Sequence, residues 1–531
     1  MPRVASGWIT PLCPAGHLLL KGGDWLHRRP TLAAVPPAVV IGCAGWRDAT
    51  RPAAGQAWMA TTLNPDICVI GGTAGGVAVA AGAAAFGVPV VLVEKGRIGA
   101  DRLGGDLPAK ALRTAAAQAE AVRHGGRFGI AAAEPDIDFR GVTRHVRSVV
   151  AAVTPNHSAE RLGALGVQVI AAEARFVDAR TLVAGECEIR ARRFVVATGS
   201  TPAVPPIAGL DQVDSLTTET IFDLIRLPGH LVVVGGGSDG LALAQAFRRL
   251  GSRVTVVEAG EALAGEDPEL AACVLRRLRA EGVDLRERTS VVSIERRGRT
   301  GLRMLLDTDG TASIVDVSHL LLADRRPDID GLGLDAAGIR HDAQGIAVGN
   351  DLRTSNRRVY ALGEAIGGPS SLHLAEHQGT QLLRALLFRR SFRIDGTDIP
   401  RVTWTDPELA QVGLTEAEAR RFHRRISILR WPYSENARAQ AARRTEGFIK
   451  ILADRRGRIL GAGIAGAGAP ETIAPWALAL RQGLTLRDMA EWVPPFPTFA
   501  EIGKRAAIAY FAPQARRASV RWLVRFLRRF G

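Results

Sequence analysis

Two glycine clusters, each followed at a fixed distance by a carboxylate, carry the first chemical signal in this chain. Gly71 and Gly76 bracket the turn Gly71-Gly72-Thr73-Ala74-Gly75-Gly76, and Glu94 follows at the end of the next apolar run. Gly235, Gly237 and Gly240 repeat the arrangement, with Glu258 in the corresponding place. That spacing suits a dinucleotide. The first glycine permits a tight turn, the middle one lets the backbone approach a pyrophosphate, and the last lets a helix pack closely on a sheet. The helix beyond presents free N–H groups and a positive dipole end to phosphate oxygens. A carboxylate closing the second strand can take both hydroxyls of an adenosine ribose, and Glu258 would repel a 2′-phosphate, so NADH is expected over NADPH. One position departs from the pattern: Thr73 stands in the middle-glycine place.

Such residues need βαβ units to position them. Residues 67–70 read as a strand, an alanine-rich helix follows, and residues 90–93 read as a second strand ending on Glu94. The second unit runs through strand 231–234, helix 241–250 and strand 254–257. The uncharged run 67–93 has the length of a membrane span. Its glycines, Pro89 and its strand–turn–helix–strand pattern fit a buried βαβ unit instead. Pro108 opens a long helix, where its missing N–H costs nothing. A helix around 158–165 and a strand over 193–197 follow, and Pro202, Pro205 and Pro206 mark a linker.

The length of 531 residues and 47% hydrophobic content predict two to four domains. The five cysteines, Cys13, Cys43, Cys68, Cys187 and Cys273, form no metal or redox spacing and read as isolated thiols in a reducing, cytoplasmic compartment. Net charge is +15, with +4 from residues 1–58 and six arginines in the tail, so about +5 is left for the body and nucleic-acid binding is not implied. His373 and His377 have helical ligand spacing but no third ligand, so no metal is expected. Residues 1–58 lack any sustained period, and Met59 reads as the start, which leaves them as an extension; the rival reading is an export signal ending at Cys43.

Further segments then fall into a familiar order: Ala197-Thr198-Gly199, Thr354-Ser355-Asn356, the run 359–364 ending on Gly363-Glu364, the run 405–413, Gly447-Phe448-Ile449-Lys450 and the run 496–501. Over residues 62–512 the chain resembles the pyridine nucleotide-disulfide oxidoreductases, the family of dihydrolipoamide dehydrogenase, mercuric reductase and glutathione reductase. The resemblance implies an α/β fold with two Rossmann-like dinucleotide-binding domains, for FAD and NAD, and an α+β C-terminal dimerisation domain. It places the FAD domain at 59–213 and 325–395, the NAD domain at 214–324, the dimerisation domain at 396–512 and a separate tail at 513–531. FAD would meet Gly71, Gly76, Glu94, Lys110, Thr198, Gly199, Gly363 and Glu364, and NADH would meet Gly235, Gly237, Gly240 and Glu258. A two-fold homodimer is implied.

The chain leaves the family's pattern at its chemistry. The family's disulfide pair falls on Asp101 and Asp106, on a glycine-flanked stretch read as a loop, and its catalytic histidine falls on Phe496. A carboxylate cannot replace a thiolate as nucleophile or as electron carrier. Ala242 replaces the glutamate that pairs with the flavin-side lysine, while Lys110 is kept and is assigned the electrostatic support of reduced flavin. Glu364 replaces an aspartate, and Ala323-Asp324-Arg325 replaces the family's A-T-G-R segment. The expected function is therefore an FAD-dependent NAD(P)H oxidoreductase that passes electrons to a non-thiol small-molecule acceptor such as a quinone. The alternatives are a flavoprotein disulfide reductase of the dihydrolipoamide dehydrogenase or mercuric reductase type, and a non-catalytic flavoprotein. Residues 516–530 read as a basic amphipathic helix, either a peripheral anchor at the inner face of a membrane or a helix docked on its own dimer.

Overall fold

Strand β1 (Ile67–Ile70) is buried along its whole length and sits at the middle of a five-stranded parallel sheet. A strand covered on both faces needs an unbroken apolar run, and Ile-Cys-Val-Ile supplies one. The computed structural model describes residues 61–530 apart from 299–300, 369–370, 395 and 516. The expectations for residues 1–58, including the start at Met59 and the export signal, lie outside the described residues.

From β1 the chain passes into α1 (Ala74–Ala85), returns as β2 (Val90–Glu94), and enters α2 (Leu107–Arg123). The first sheet has the order Val359–Ala361, Arg193–Val196, β1, β2, Gln168–Ala171, all parallel. The second repeats the plan. Strand β3 (His230–Val234), α3 (Ser238–Arg249) and β4 (Arg253–Val257) form its βαβ unit, and α4 (Pro268–Ala280) follows. Its parallel order is Leu216–Thr217, His319–Leu322, β3, β4, Asp284–Arg286. The chain crosses between the two units at Ser200–Pro202 and Arg325–Pro327, which pair antiparallel. Helix α5 (Leu372–Phe388) returns to the first unit and crosses α1 at two glycines: a Cβ on Gly379 would lie 2.6 Å from the Gly75 carbonyl oxygen. Small residues are therefore required at that crossing.

The C-terminal unit is an antiparallel sheet ordered Arg401–Thr403, β5 (Glu408–Gly413), Ile459–Gly466, β6 (Phe448–Asp454), Ile426–Pro432. Helices α6 (Ala469–Gln482) and α7 (Glu501–Ala509) bury Trp476 and Ile502 against it. The architecture is α/β, with two Rossmann-like domains and a C-terminal domain. Charge ties the last two. Lys450 on β6 is 4% exposed and places its ammonium 2.8 Å from Asp267, 2.9 Å from Glu269 and 2.8 Å from Glu416. Arg249 on α3 is equally buried and bridges Glu281 at 2.6 Å and Asp406 at 2.9 Å. Helix α8 (Ala518–Leu527) closes the described chain with no buried residue.

Candidate dinucleotide sites and the cavity between them

The two fingerprints fold into the same local device. The Gly72 N–H donates to Glu94 at 2.5 Å and the Gly96 N–H donates to its other oxygen at 2.7 Å. The Gly236 N–H donates to Glu258 at 2.7 Å and the Gly260 N–H at 2.8 Å. Each carboxylate thus pins the glycine turn to the end of the neighbouring strand. Gly71 (φ +100°) and Gly235 (φ +113°) hold backbone conformations that L side chains rarely adopt. A Cβ on Gly76 would lie 2.1 Å from the Gly71 carbonyl oxygen, and one on Gly240 would lie 2.2 Å from that of Gly235. No side chain fits at either place.

The middle position is different. Thr73 and Gly237 share one backbone shape, φ −70°, ψ 172° and φ −73°, ψ −179°, open to any residue. A Cβ on Gly237 would meet nothing within 4 Å. The Thr73 hydroxyl donates to the Ala197 carbonyl at 2.8 Å, so its side chain turns back toward the neighbouring strand.

Between the fingerprints lies a cavity of about 500 Å³. Asp101, Asp106, Lys110, Asp239, Glu266, Arg325, Glu364, His373 and Trp404 line it. Residues Asp101–Asp106 correct the loop expectation: they wind as a π-helical turn that runs straight into α2. Such wide turns are often found at functional sites. Lys110 bonds Asp106 at 2.6 Å and lies 4.8 Å over the Trp404 ring. The carboxylate partner that Ala242 cannot offer therefore comes from one turn earlier on the lysine's own helix.

Asp101 accepts the Ala74 N–H at 2.8 Å, at the N-terminus of α1. Burial raises its carboxyl above the usual carboxylate range, against the stabilising Ala74 and Arg102 N–H groups, and the nearby Glu364 adds to the rise. Asp239 is exposed to the cavity, and the protein that crowds around it raises its carboxyl by desolvation. Arg325 donates to the Ser200 hydroxyl and carbonyl, both at 2.7 Å, and pairs with Glu219 at 2.8 Å. The Ser200 hydroxyl also donates to Glu364.

The comparisons with known proteins agree on one family. Residues 65–379 match the family described as "Pyridine nucleotide-disulphide oxidoreductase", and residues 399–507 match its dimerisation domain. The chain belongs to this family. It is 35% identical over 466 residues to the mercuric reductase of Streptomyces lividans, covering 85% of this chain and 97% of that one. It is 33% identical over 455 residues to the dihydrolipoyl dehydrogenase of Geobacillus stearothermophilus, covering 84% and 96%. The crystal structure of LpdA from Mycobacterium tuberculosis superimposes with a TM-score of 0.76 at 27% identity, covering 85% of this chain and 100% of that chain. Members of the pyridine nucleotide-disulfide oxidoreductase family use FAD and NAD(P)H.

The first site has the features that an FAD of this family requires. Its glycine cradle is closed to side chains, Glu94 sits at the strand end, and the Thr198 hydroxyl is buried with no hydrogen-bond partner. An orphaned donor at that place is available to a ligand. Gly199 (φ +76°) and Gly363 (φ +67°) turn the chain beside it, and the Gly363 N–H is taken by Gln378 at 2.7 Å. Asp101 is the exception, since its carboxylate holds the N–H that a phosphate would use. At the second site a Cβ on Gly235 would lie 2.7 Å from Asp324, so a second carboxylate stands beside Glu258 there. Burial raises the Asp324 carboxyl first, and Glu258 adds to it.

The structure thus brings Asp101, Lys110 and Glu364 to one cavity and leaves Glu94 and Glu258 at the C-terminal ends of their strands. Sequence reasoning missed Trp404, Asp239, Glu266 and Glu219 on the cavity wall. The Asp106–Lys110 pair was missed as well, because its four-residue spacing signals a contact only where the stretch is helical, and the sequence there reads as a loop. His373 reaches the cavity and bonds the Pro400 carbonyl at 2.7 Å, while His377 faces a different cleft. Among the described residues no group of three or more His, Cys, Asp or Glu side chains could hold a metal ion. Cys68, Cys187 and Cys273 are buried, and none of them lines the cavity. Phe496 is exposed.

Proposed function

We propose that the chain is an FAD-dependent oxidoreductase that takes hydride from NADH and delivers the electrons without a protein dithiol. The observation that carries this reading is the cavity wall, where Asp101, Asp106 and Lys110 stand and no described cysteine does. FAD, when bound, supplies the exchange of hydride and electrons. The chain's own work is binding and electrostatics. Glu94 would hold the adenosine ribose, the Thr198 hydroxyl would donate to the ligand, and Glu364, tied to Ser200, would meet the ribityl chain. The Lys110 ammonium would favour the negative charge that accompanies reduction. Glu258 would select NADH over NADPH. The dimerisation domain would join two copies.

A second reading keeps the relatives' chemistry, a flavoprotein disulfide reductase of the mercuric reductase or dihydrolipoyl dehydrogenase type. The relatives' names favour it over the direct route, and a quinone acceptor draws no support from them. An anaerobic NADH titration of the full chain loaded with FAD separates the two. Bleaching of the visible flavin absorbance without a long-wavelength thiolate–flavin band, and no turnover of dihydrolipoamide or Hg(II), is expected. Turnover of either substrate above a no-enzyme control would establish the second reading. Flavin that stays oxidised would mark the protein as a non-catalytic flavoprotein.

A further inference from the structure

From residue 517 on, helix α8 and its flanking residues divide by chemistry. At about 100° per residue, Val520, Trp522, Leu523, Val524, Phe526, Leu527 and Phe530 fall within one arc of about 200°. Arg517, Arg521, Arg525, Arg528 and Arg529 fall within the remaining sector. The apolar side is not docked on the protein: Trp522 is 65% exposed and Phe530 74%. Trp522 stacks on Phe526 at 5.7 Å, and Phe526 meets Phe530 at 5.0 Å, so the aromatic rings form one continuous ridge. No carboxylate side chain follows Glu501 in the sequence.

A second basic feature lies where the tail leaves the body. Exposed Arg424, Arg425, Arg455, Arg456 and Arg458, with His423, surround a cleft between the strand Ile426–Pro432 and the turn after β6, where the one carboxylate, Asp454, accepts the Arg456 and Arg458 backbone N–H groups. The Tyr510 hydroxyl donates to the Arg455 carbonyl at 3.4 Å, and a Cβ on Gly457 would lie 3.6 Å from the Tyr510 ring. The tail therefore begins beside this cleft. Exposed Phe422 adds an aromatic side chain next to it. Among the described residues none of these ten guanidinium groups forms an ion pair, although arginine–carboxylate pairs are common elsewhere in the chain.

We propose that the apolar ridge of α8, helped by the arginine cleft beside which the tail begins, docks on the surface of a bilayer containing anionic phospholipid. The ridge enters the boundary between headgroups and acyl chains, and the arginines face lipid phosphates. A water-borne polyanion would satisfy the arginines and leave Trp522, Phe526 and Phe530 in water. A second copy of the same tail would cover the ridge but leave the arginines without anionic partners. Among the described residues no helix is long and apolar enough to cross a membrane, so the attachment is peripheral and reversible. The proposal stands independently of the electron acceptor.

The test uses the full chain and co-sedimentation with phosphatidylcholine vesicles, with and without phosphatidylglycerol. Binding to the anionic vesicles, weakened by salt and roughly tenfold poorer on neutral ones, is expected. The double variant Trp522→Ser/Phe526→Ser and the triple variant Arg521→Gln/Arg525→Gln/Arg528→Gln should each lose at least about tenfold. Arg455→Gln/Arg456→Gln should lose a smaller factor. Equal binding to neutral vesicles, or unchanged binding by the Trp522/Phe526 variant, overturns the proposal. So does a lack of vesicle binding combined with a change of oligomeric state, measured by sedimentation, in that same variant, because the ridge would then pack on a second copy. RNA binding that the Trp522/Phe526 variant leaves intact, without vesicle binding, also overturns it.

Discussion

Asp101 concentrates the tension in the first site. Its carboxylate accepts the Ala74 N–H at the start of α1, which is also the natural place for a pyrophosphate. In its charged form Asp101 competes with and repels that phosphate. Removing the charge in Asp101→Asn should tighten FAD binding by roughly tenfold, about 1.4 kcal/mol. The pH dependence has a definite sign. Burial raises this carboxyl above its usual range, so protonation of the wild type begins at a higher pH than for an exposed aspartate. Wild-type affinity for FAD should therefore climb as pH falls through that raised range and approach the variant, whose own profile stays flat. Fluorescence titrations of FAD across pH measure both. Parallel profiles for the two proteins would remove Asp101 from the account.

The βαβ units explain which departures from a motif matter. Gly76 and Gly240 face backbone oxygens at 2.1 and 2.2 Å from where a Cβ would sit, while Thr73 and Gly237 hold an ordinary extended conformation, with open space at Gly237. Gly76→Ala and Gly240→Ala should cost soluble yield or empty their sites. Gly237→Ala should leave fold and cofactor content intact. Thr73→Gly should lower stability by about 1 kcal/mol, through the hydroxyl bond to Ala197, and change FAD affinity by no more than about twofold. Soluble yield with bound flavin reads Gly76→Ala, NADH binding reads Gly237→Ala and Gly240→Ala, and a denaturation curve with an FAD titration reads Thr73→Gly. This contrast also shows what the sequence made legible. The glycine spacing and the carboxylates Glu94 and Glu258 are backbone geometry written over 22 residues, and they could be read directly. That the Thr73 hydroxyl is held by the Ala197 carbonyl could not, since it depends on where Ala197 lies. The π-turn at Asp101–Asp106 was hidden because its glycines also spell a loop. Trp404 and Glu219 reach the cavity from distant segments, and no local pattern announces that approach.

At the scale of the molecule, the clusters at Lys450 and Arg249 join the second Rossmann-like domain to the C-terminal sheet. Lys450→Met would leave the buried Asp267 without its cation. Losing one partner of a buried pair costs about 3–5 kcal/mol, and a chemical denaturation curve of the full chain should show it. Glu269, at the exposed rim of the same cluster, is held down to about 2, mainly by Arg430 and also by Lys450. A depressed carboxyl stabilises the fold above its unfolded value. That contribution should fade as pH drops from about 4.5 toward 2.

The same clasp governs motion. The second domain is fastened on one side by Lys450 and Arg249 and on the other by the paired crossing strands Ser200–Pro202 and Arg325–Pro327, with Arg325 bonded across them. Both attachments restrain a swing of that domain. Access to the central cavity must then come from rearranging individual side chains such as Lys110, Trp404 and Arg325, on timescales far shorter than a domain hinge. Amide hydrogens in α4 and β6 should accordingly exchange together, with the opening free energy of the whole molecule, rather than through any smaller local excursion.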